Sequence, residues 1–169
     1  MDCSKERLKY KRIMKRIVIV LGGFFIIYNI VWLIGSFRIF YELRKGTPVN
    51  TNYIHDYIDD EGYCFHICSP TYLYWNGNLA ISCPFEENEN QWDLGDGLII
   101  WLNPFSGSVK EVGMIHYEGN NMNQIYLEDS KTARFPDQQK YVDLCEEEIE
   151  VLFSKAQDLW LLSMPYANR

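Results

Sequence analysis

Hydrophobic positions are distributed unevenly along the chain. Residues Ile17 to Phe37 read IVIVLGGFFIIYNIVWLIGSF, 21 residues without a charge, and Asn29 is the only strongly polar side chain among them. At about 1.5 Å per helical residue the run spans roughly 30 Å, the thickness of a bilayer core. Lipid offers backbone N–H and C=O groups no partner, so such a segment is expected to be helical. The pattern predicts a transmembrane helix over residues 17–40, fraying toward Gly46. The length of the run, and the lack of a small-residue cleavage site after it, set it apart from a cleaved signal peptide.

Beyond Gly46 the pattern changes. Residues 41–62 read as a juxtamembrane linker, in which Tyr53, Ile54, Tyr57 and Ile58 form one short amphipathic turn. Strand-like runs follow at Tyr63–Ser69, Thr71–Trp75, Leu79–Cys83, Leu98–Leu102, Val109–Glu118 and Gln124–Glu128. Asn76-Gly77 marks a two-residue hairpin between the second and third, because a type I′ turn needs positive φ at both positions. The continuous run LIIWL at Leu98–Leu102 fits a central strand buried on both faces, and Gly113 fits a bulge. After Pro136-Asp137, the residues Tyr141, Cys145, Ile149, Leu152, Phe153, Ala156 and Trp160 recur at helical spacing on one apolar face. The expected fold is α+β. An N-terminal transmembrane helix precedes a small antiparallel β-meander of four to five strands, packed against a C-terminal amphipathic helix. The folded domain covers residues 63–169.

Charge sets the expected orientation. Lys5, Arg7, Lys9, Lys11, Arg12, Lys15 and Arg16 precede the apolar run; only Arg38, Arg44 and Lys45 follow closely. This bias predicts a basic cytoplasmic tail over residues 1–16 and a single-pass protein of the cell membrane with an extracytoplasmic C-terminal domain. From Gly46 onward, six basic residues stand against 20 acidic ones, a net charge of −14. So negative a surface repels nucleic acid. The partners it suggests are the lipid bilayer and another envelope or secreted protein.

Candidate chemistry is sparse. Cys64, Cys68, Cys83 and Cys145 fall in the domain and are disulfide candidates in an oxidising compartment. Four cysteines allow three connectivities and the sequence leaves them open; one joins Cys68 to Cys83, which come near each other if the hairpin pairs its arms, and Cys145 on the helix to Cys64 on the sheet. As a metal set, strand alternation puts Cys64, His66 and Cys68 on one face, with Cys83 as a fourth, zinc-type ligand. The acidic loop around Glu87, Glu89, Asp93 and Asp96 offers oxygen ligands of the calcium kind, without meeting the EF-hand pattern. Trp92 in that loop is a candidate interaction anchor. Cys83 with His116 is the one thiol–imidazole pair to consider. No phosphate loop, nucleophile elbow or cofactor motif is present. The leading expectation is a non-enzymatic protein-interaction module at the cell envelope. The alternatives are an ectodomain that senses or binds calcium or zinc, and a thiol enzyme.

Overall fold

The computed structural model describes residues 3–50, 56–72, 74–84, 96–119 and 121–162, with side chains from residue 9 onward. Helix α1, Cys3–Gly46, is one uninterrupted element of 44 residues. Its most apolar stretch buries nothing inside the structure. The last turns are different. Phe40 is buried in the domain core, and Ile39 and Leu43 pack beside it. The helix stops where Thr47 Oγ1 donates to the Leu43 carbonyl and Pro48 follows. Trp160 Nε1 donates to the same Thr47 oxygen at 3.0 Å, tying the helix end to the far end of the chain.

Six strands follow: β1 Tyr57–Ile58, β2 Cys64–Cys68, β3 Asn78–Ser82, β4 Gly97–Leu102, β5 Val109–Glu118 and β6 Asn121–Leu127. They form one open antiparallel sheet in chain order. Register aligns two apolar rows across it. Phe65, Ile81, Leu98, Met114 and Ile125 make one row; Ile67, Leu79, Ile100, Val112 and Leu127 make the other. Both rows face α3, Glu146–Trp160, which buries Ile149, Leu152, Phe153, Ala156 and Trp160. Burying each of these large side chains is worth roughly 1.5–3 kcal/mol, so the two rows and the helix hold the domain together. A 3₁₀ turn at Pro136–Gln138 and the short helix α2, Gln139–Leu144, lead into α3.

The chain is therefore α+β, with a long apolar N-terminal helix, an antiparallel sheet and C-terminal helices. Its details differ from the sequence pattern. Among the described residues the sheet has six strands, because Tyr57–Ile58 pairs with β2 as an extra edge. The described residues of Thr71–Trp75 are not in a strand: β2 and β3 pair Cys68 with Asn78, and the described residues between them form a connection. Gly77 lacks the positive φ of a type I′ turn. Its role is steric, since a Cβ there would lie 2.5 Å from the Phe40 ring and 2.6 Å from Pro70. Packing on α1 overrides the local turn preference. In β4, Leu98, Ile100 and Leu102 are buried while Ile99 and Trp101 are only half so; one face is covered fully, not both. Gly113 keeps regular pairing, and the register shift falls at Trp101/Leu102. Gly113 instead leaves room for the Trp101 ring.

Both edges of the sheet are closed by amide side chains. Asn50 accepts from the Ile58 N–H and donates to the Ile58 carbonyl, as a neighbouring strand would. Gln138 does the same for β6, accepting from the Tyr126 N–H and donating to the Gln124 carbonyl.

Candidate metal centre

Three elements meet at the end of the sheet far from α1. Asp96 stands immediately before β4, His116 lies near the end of β5, and Cys145 sits at the break between α2 and α3. The register that pairs Gly97 with Ile115 sets Asp96 beside His116. Cys145 takes up φ −112° and ψ 24°, which interrupts the helix and aims its side chain at the sheet. Its carbonyl still accepts the Ile149 N–H, so α3 starts from this residue.

The side chains converge on one point. His116 Nδ1 is 2.5 Å from Asp96 Oδ2. Cys145 Sγ is 3.6 Å from that oxygen and 3.6 Å from that nitrogen. Asp96 Oδ1 is held by the Tyr117 N–H at 2.9 Å, which fixes the carboxylate and leaves Oδ2 free to face the other two. A tetrahedral zinc ion with ordinary bond lengths would separate sulfur from nitrogen or oxygen by about 3.5 Å, and nitrogen from oxygen by about 3.3 Å. The two sulfur edges already match. The short His116–Asp96 edge is a hydrogen bond that a metal would replace, opening it by under an ångström. Cys145 is buried and His116 nearly so, which shields the site. Opposite His116 in register lies Asn123, whose Nδ2 is buried without a hydrogen-bond partner. A half-turn of that amide exchanges Nδ2 for Oδ1, so it can present a donor or an acceptor.

Thiol, imidazole and carboxylate are also the parts of a thiol enzyme, but their order here differs. In such a site the thiol and the carboxylate flank the imidazole through opposite ring nitrogens. Here both crowd Nδ1. Burial, reinforced by the Asp96 charge, pushes the Cys145 thiol up to about 12. Cys83 is pushed up to about 11, again by burial first and then by Asp96 and Glu148. Both shifts favour the protonated thiol over the thiolate. His116 pairs with Cys145, not with Cys83 as the sequence suggested.

Comparison with protein-family models, curated proteins and solved structures finds no match to this chain.

The residues singled out by sequence fall in several places. Cys64, Cys68, Cys83 and Cys145 are all free thiols. The expected disulfides fail on register. Cys68 pairs with Asn78 at the loop end of the hairpin, whereas Cys83 follows Ser82 at the other end, opposite Cys64. At about 3.3 Å per residue that separates Cys68 from Cys83 by roughly 16 Å. Cys64 alternates with Phe65, so it turns away from α3 and toward the Gly62 carbonyl, out of reach of Cys145. Cys64, His66 and Cys68 do share one face, yet they do not converge; among the described residues only Asp96, His116 and Cys145 do. His66 Nδ1 is buried without a hydrogen bond, 3.3 Å from Asp56 Oδ2 but misaligned with it. Glu87, Glu89, Trp92 and Asp93 lie outside the described residues. Asp96, assigned by sequence to a calcium loop, belongs instead to the His–Cys cluster.

Proposed function

We propose that the protein is a single-pass membrane protein whose acidic outer domain binds a divalent metal ion of the zinc class at Asp96, His116 and Cys145. The basic segment before Ile17 stays in the cytoplasm and the α+β domain stands outside. The seven cations before the apolar run, against three after it, support that orientation. The apolar surface that α1 leaves uncovered from Ile17 to Ile34 supports the anchor.

One observation carries the metal reading: an oxygen, a nitrogen and a sulfur from three separate elements meet at near-tetrahedral spacing. Calcium and magnesium take oxygen ligands only, whereas a mixed set with one thiolate suits zinc. Three protein ligands leave a fourth position for water or an incoming group, with the unpaired Asn123 amide on the strand beside it. The domain thus holds or senses metal at the membrane surface. An interaction role through a sheet edge has less behind it, because Asn50 and Gln138 close both edges.

The test is metal titration of the full chain in detergent with its thiols reduced, using cobalt(II) as a coloured substitute for zinc. One equivalent binds with a thiolate-to-metal charge-transfer band. Cys145→Ser abolishes the band, Asp96→Asn weakens binding sharply, and Cys83→Ser leaves both intact. No stoichiometric uptake, or uptake indifferent to Cys145→Ser in a variant with unchanged circular dichroism, would refute the reading.

A further inference from the structure

The end of the sheet opposite Asp96 carries a different surface. Described residues of two loops lie there against α1: those of Ser69–Gly77, between β2 and β3, apart from Leu73, and Asn103–Ser108, between β4 and β5. In a domain with 20 acidic residues, neither loop contains a single charge. Tyr72, Tyr74 and Phe105 are 53%, 67% and 65% exposed. The Trp75 ring lies tilted against Phe105, with ring centroids 5.2 Å apart.

These loops reach far down the helix. The Tyr72 hydroxyl donates to the Asn29 side chain, and Trp32 Nε1 donates to the Tyr74 carbonyl at 3.0 Å. Trp75 closes on Gly35 so tightly that a Cβ there would lie 2.9 Å from its ring. Arg16 is the last cation before the apolar run. At about 1.5 Å per residue, Asn29 lies roughly 20 Å beyond it, Trp32 about 24 Å and Gly35 about 28 Å. A hydrocarbon core is about 30 Å thick. With Arg16 at the inner boundary, the loop tips meet the helix inside the outer third of the bilayer.

We infer that the loops Ser69–Gly77 and Asn103–Ser108 are seated in the outer leaflet, so that the domain is embedded by its tip and does not stand clear on a stalk. The occupant of this surface is lipid. Tyrosine and tryptophan favour the headgroup boundary, where a ring meets hydrocarbon and its polar group meets water. The missing charge is what lipid contact requires, and the surface is continuous with the apolar face of α1. A groove of about 260 Å³ runs between loop and helix, lined by Trp32, Leu33, Phe37, Phe40 and Pro70, with Arg44 also on its wall. The Tyr72–Asn29 bond then satisfies the one strongly polar side chain of the span without water.

This inference rests on the proposed anchor and is independent of the metal. The full chain is labelled with 5-fluorotryptophan, placed in phosphatidylcholine nanodiscs, and its ¹⁹F signals are assigned by single Trp→Phe changes. Lipid carrying a nitroxide on its acyl chain is then added. The Trp32 and Trp75 signals broaden severalfold, while Trp160, packed at the helix end by Thr47, does not. Broadening of Trp32 with Trp75 as sharp as Trp160 overturns the inference while the anchor stands; this is also the result if a second copy of the chain covers the loops. A sharp Trp32 signal overturns the anchor and the inference with it.

Discussion

Tyr72 and Asn29 are 43 residues apart in the chain, and the Tyr72 hydroxyl donates a hydrogen bond to the Asn29 side-chain oxygen. Asn29 Nδ2 in turn donates to the Phe25 carbonyl one helical turn back, at 2.7 Å. The amide in the apolar run is thus satisfied at both ends, one by its own helix and one by the domain.

A double-mutant cycle of Tyr72→Phe and Asn29→Leu measures that link. Side-chain hydrogen bonds at membrane depth couple by about 0.6 kcal/mol on average and seldom exceed about 1.7. The expected coupling, read from unfolding of the full chain in detergent, lies in that range. Strictly additive effects would mean that the contact is not formed.

Gly77→Ala probes the seam between helix and domain. The new methyl would press on the Phe40 ring, which belongs to the core, and on Pro70, which is buried. Overpacking of this kind costs about 1–3 kcal/mol. A loss of stability in that range, seen as a lower Tm, is expected. A neutral Gly77→Ala would show that α1 does not pack on this loop.

Lys155 links α3 to the turn before β2. Its ammonium lies 2.6 Å from Asp59, 3.1 Å from Glu61 and 4.1 Å from the centre of the Tyr63 ring. Burial pushes the Asp59 carboxyl up, but the Lys155 bond and the Tyr63 and Glu61 N–H groups together hold it below its ordinary value. For Lys155, burial pulls down and the two carboxylates more than offset it, raising its pKa. A depressed carboxylate stabilises the fold above its unfolded pKa, about 3.9, and loses that as pH falls through the folded value. A raised lysine stabilises below about 10.4 and loses that as pH rises through its folded value. Lys155→Met should therefore cost about 1–3 kcal/mol across the neutral range. The gap from the parent protein should narrow at both pH extremes. Thermal unfolding against pH checks this; a gap that stays constant down to acid pH contradicts it.

Much of the fold could be read from local pattern. The apolar run became one helix, the Val109–Glu118 alternation became β5, and the apolar face from Tyr141 to Trp160 became the helices on the sheet. What local pattern missed was decided by contacts distant in sequence. Asn76-Gly77 favours a tight turn by itself, yet Phe40, more than thirty residues earlier, sets the loop. Local sequence points to Asp96, His116 and Cys145 in three separate roles: calcium loop, thiol partner and disulfide half. Only the β4–β5 register and the helix break at Cys145 join them, and neither is written in local spacing. It is the alignment of Leu98 with Met114 that sets Asp96 and His116 side by side.

X-ray absorption at the zinc edge, on the full chain loaded with one equivalent of zinc, tests the central claim most directly. The account predicts one sulfur at about 2.3 Å, with nitrogen and oxygen neighbours at about 2.0–2.2 Å, and loss of the sulfur shell in Cys145→Ser. A shell of nitrogen and oxygen alone in the parent protein would contradict it.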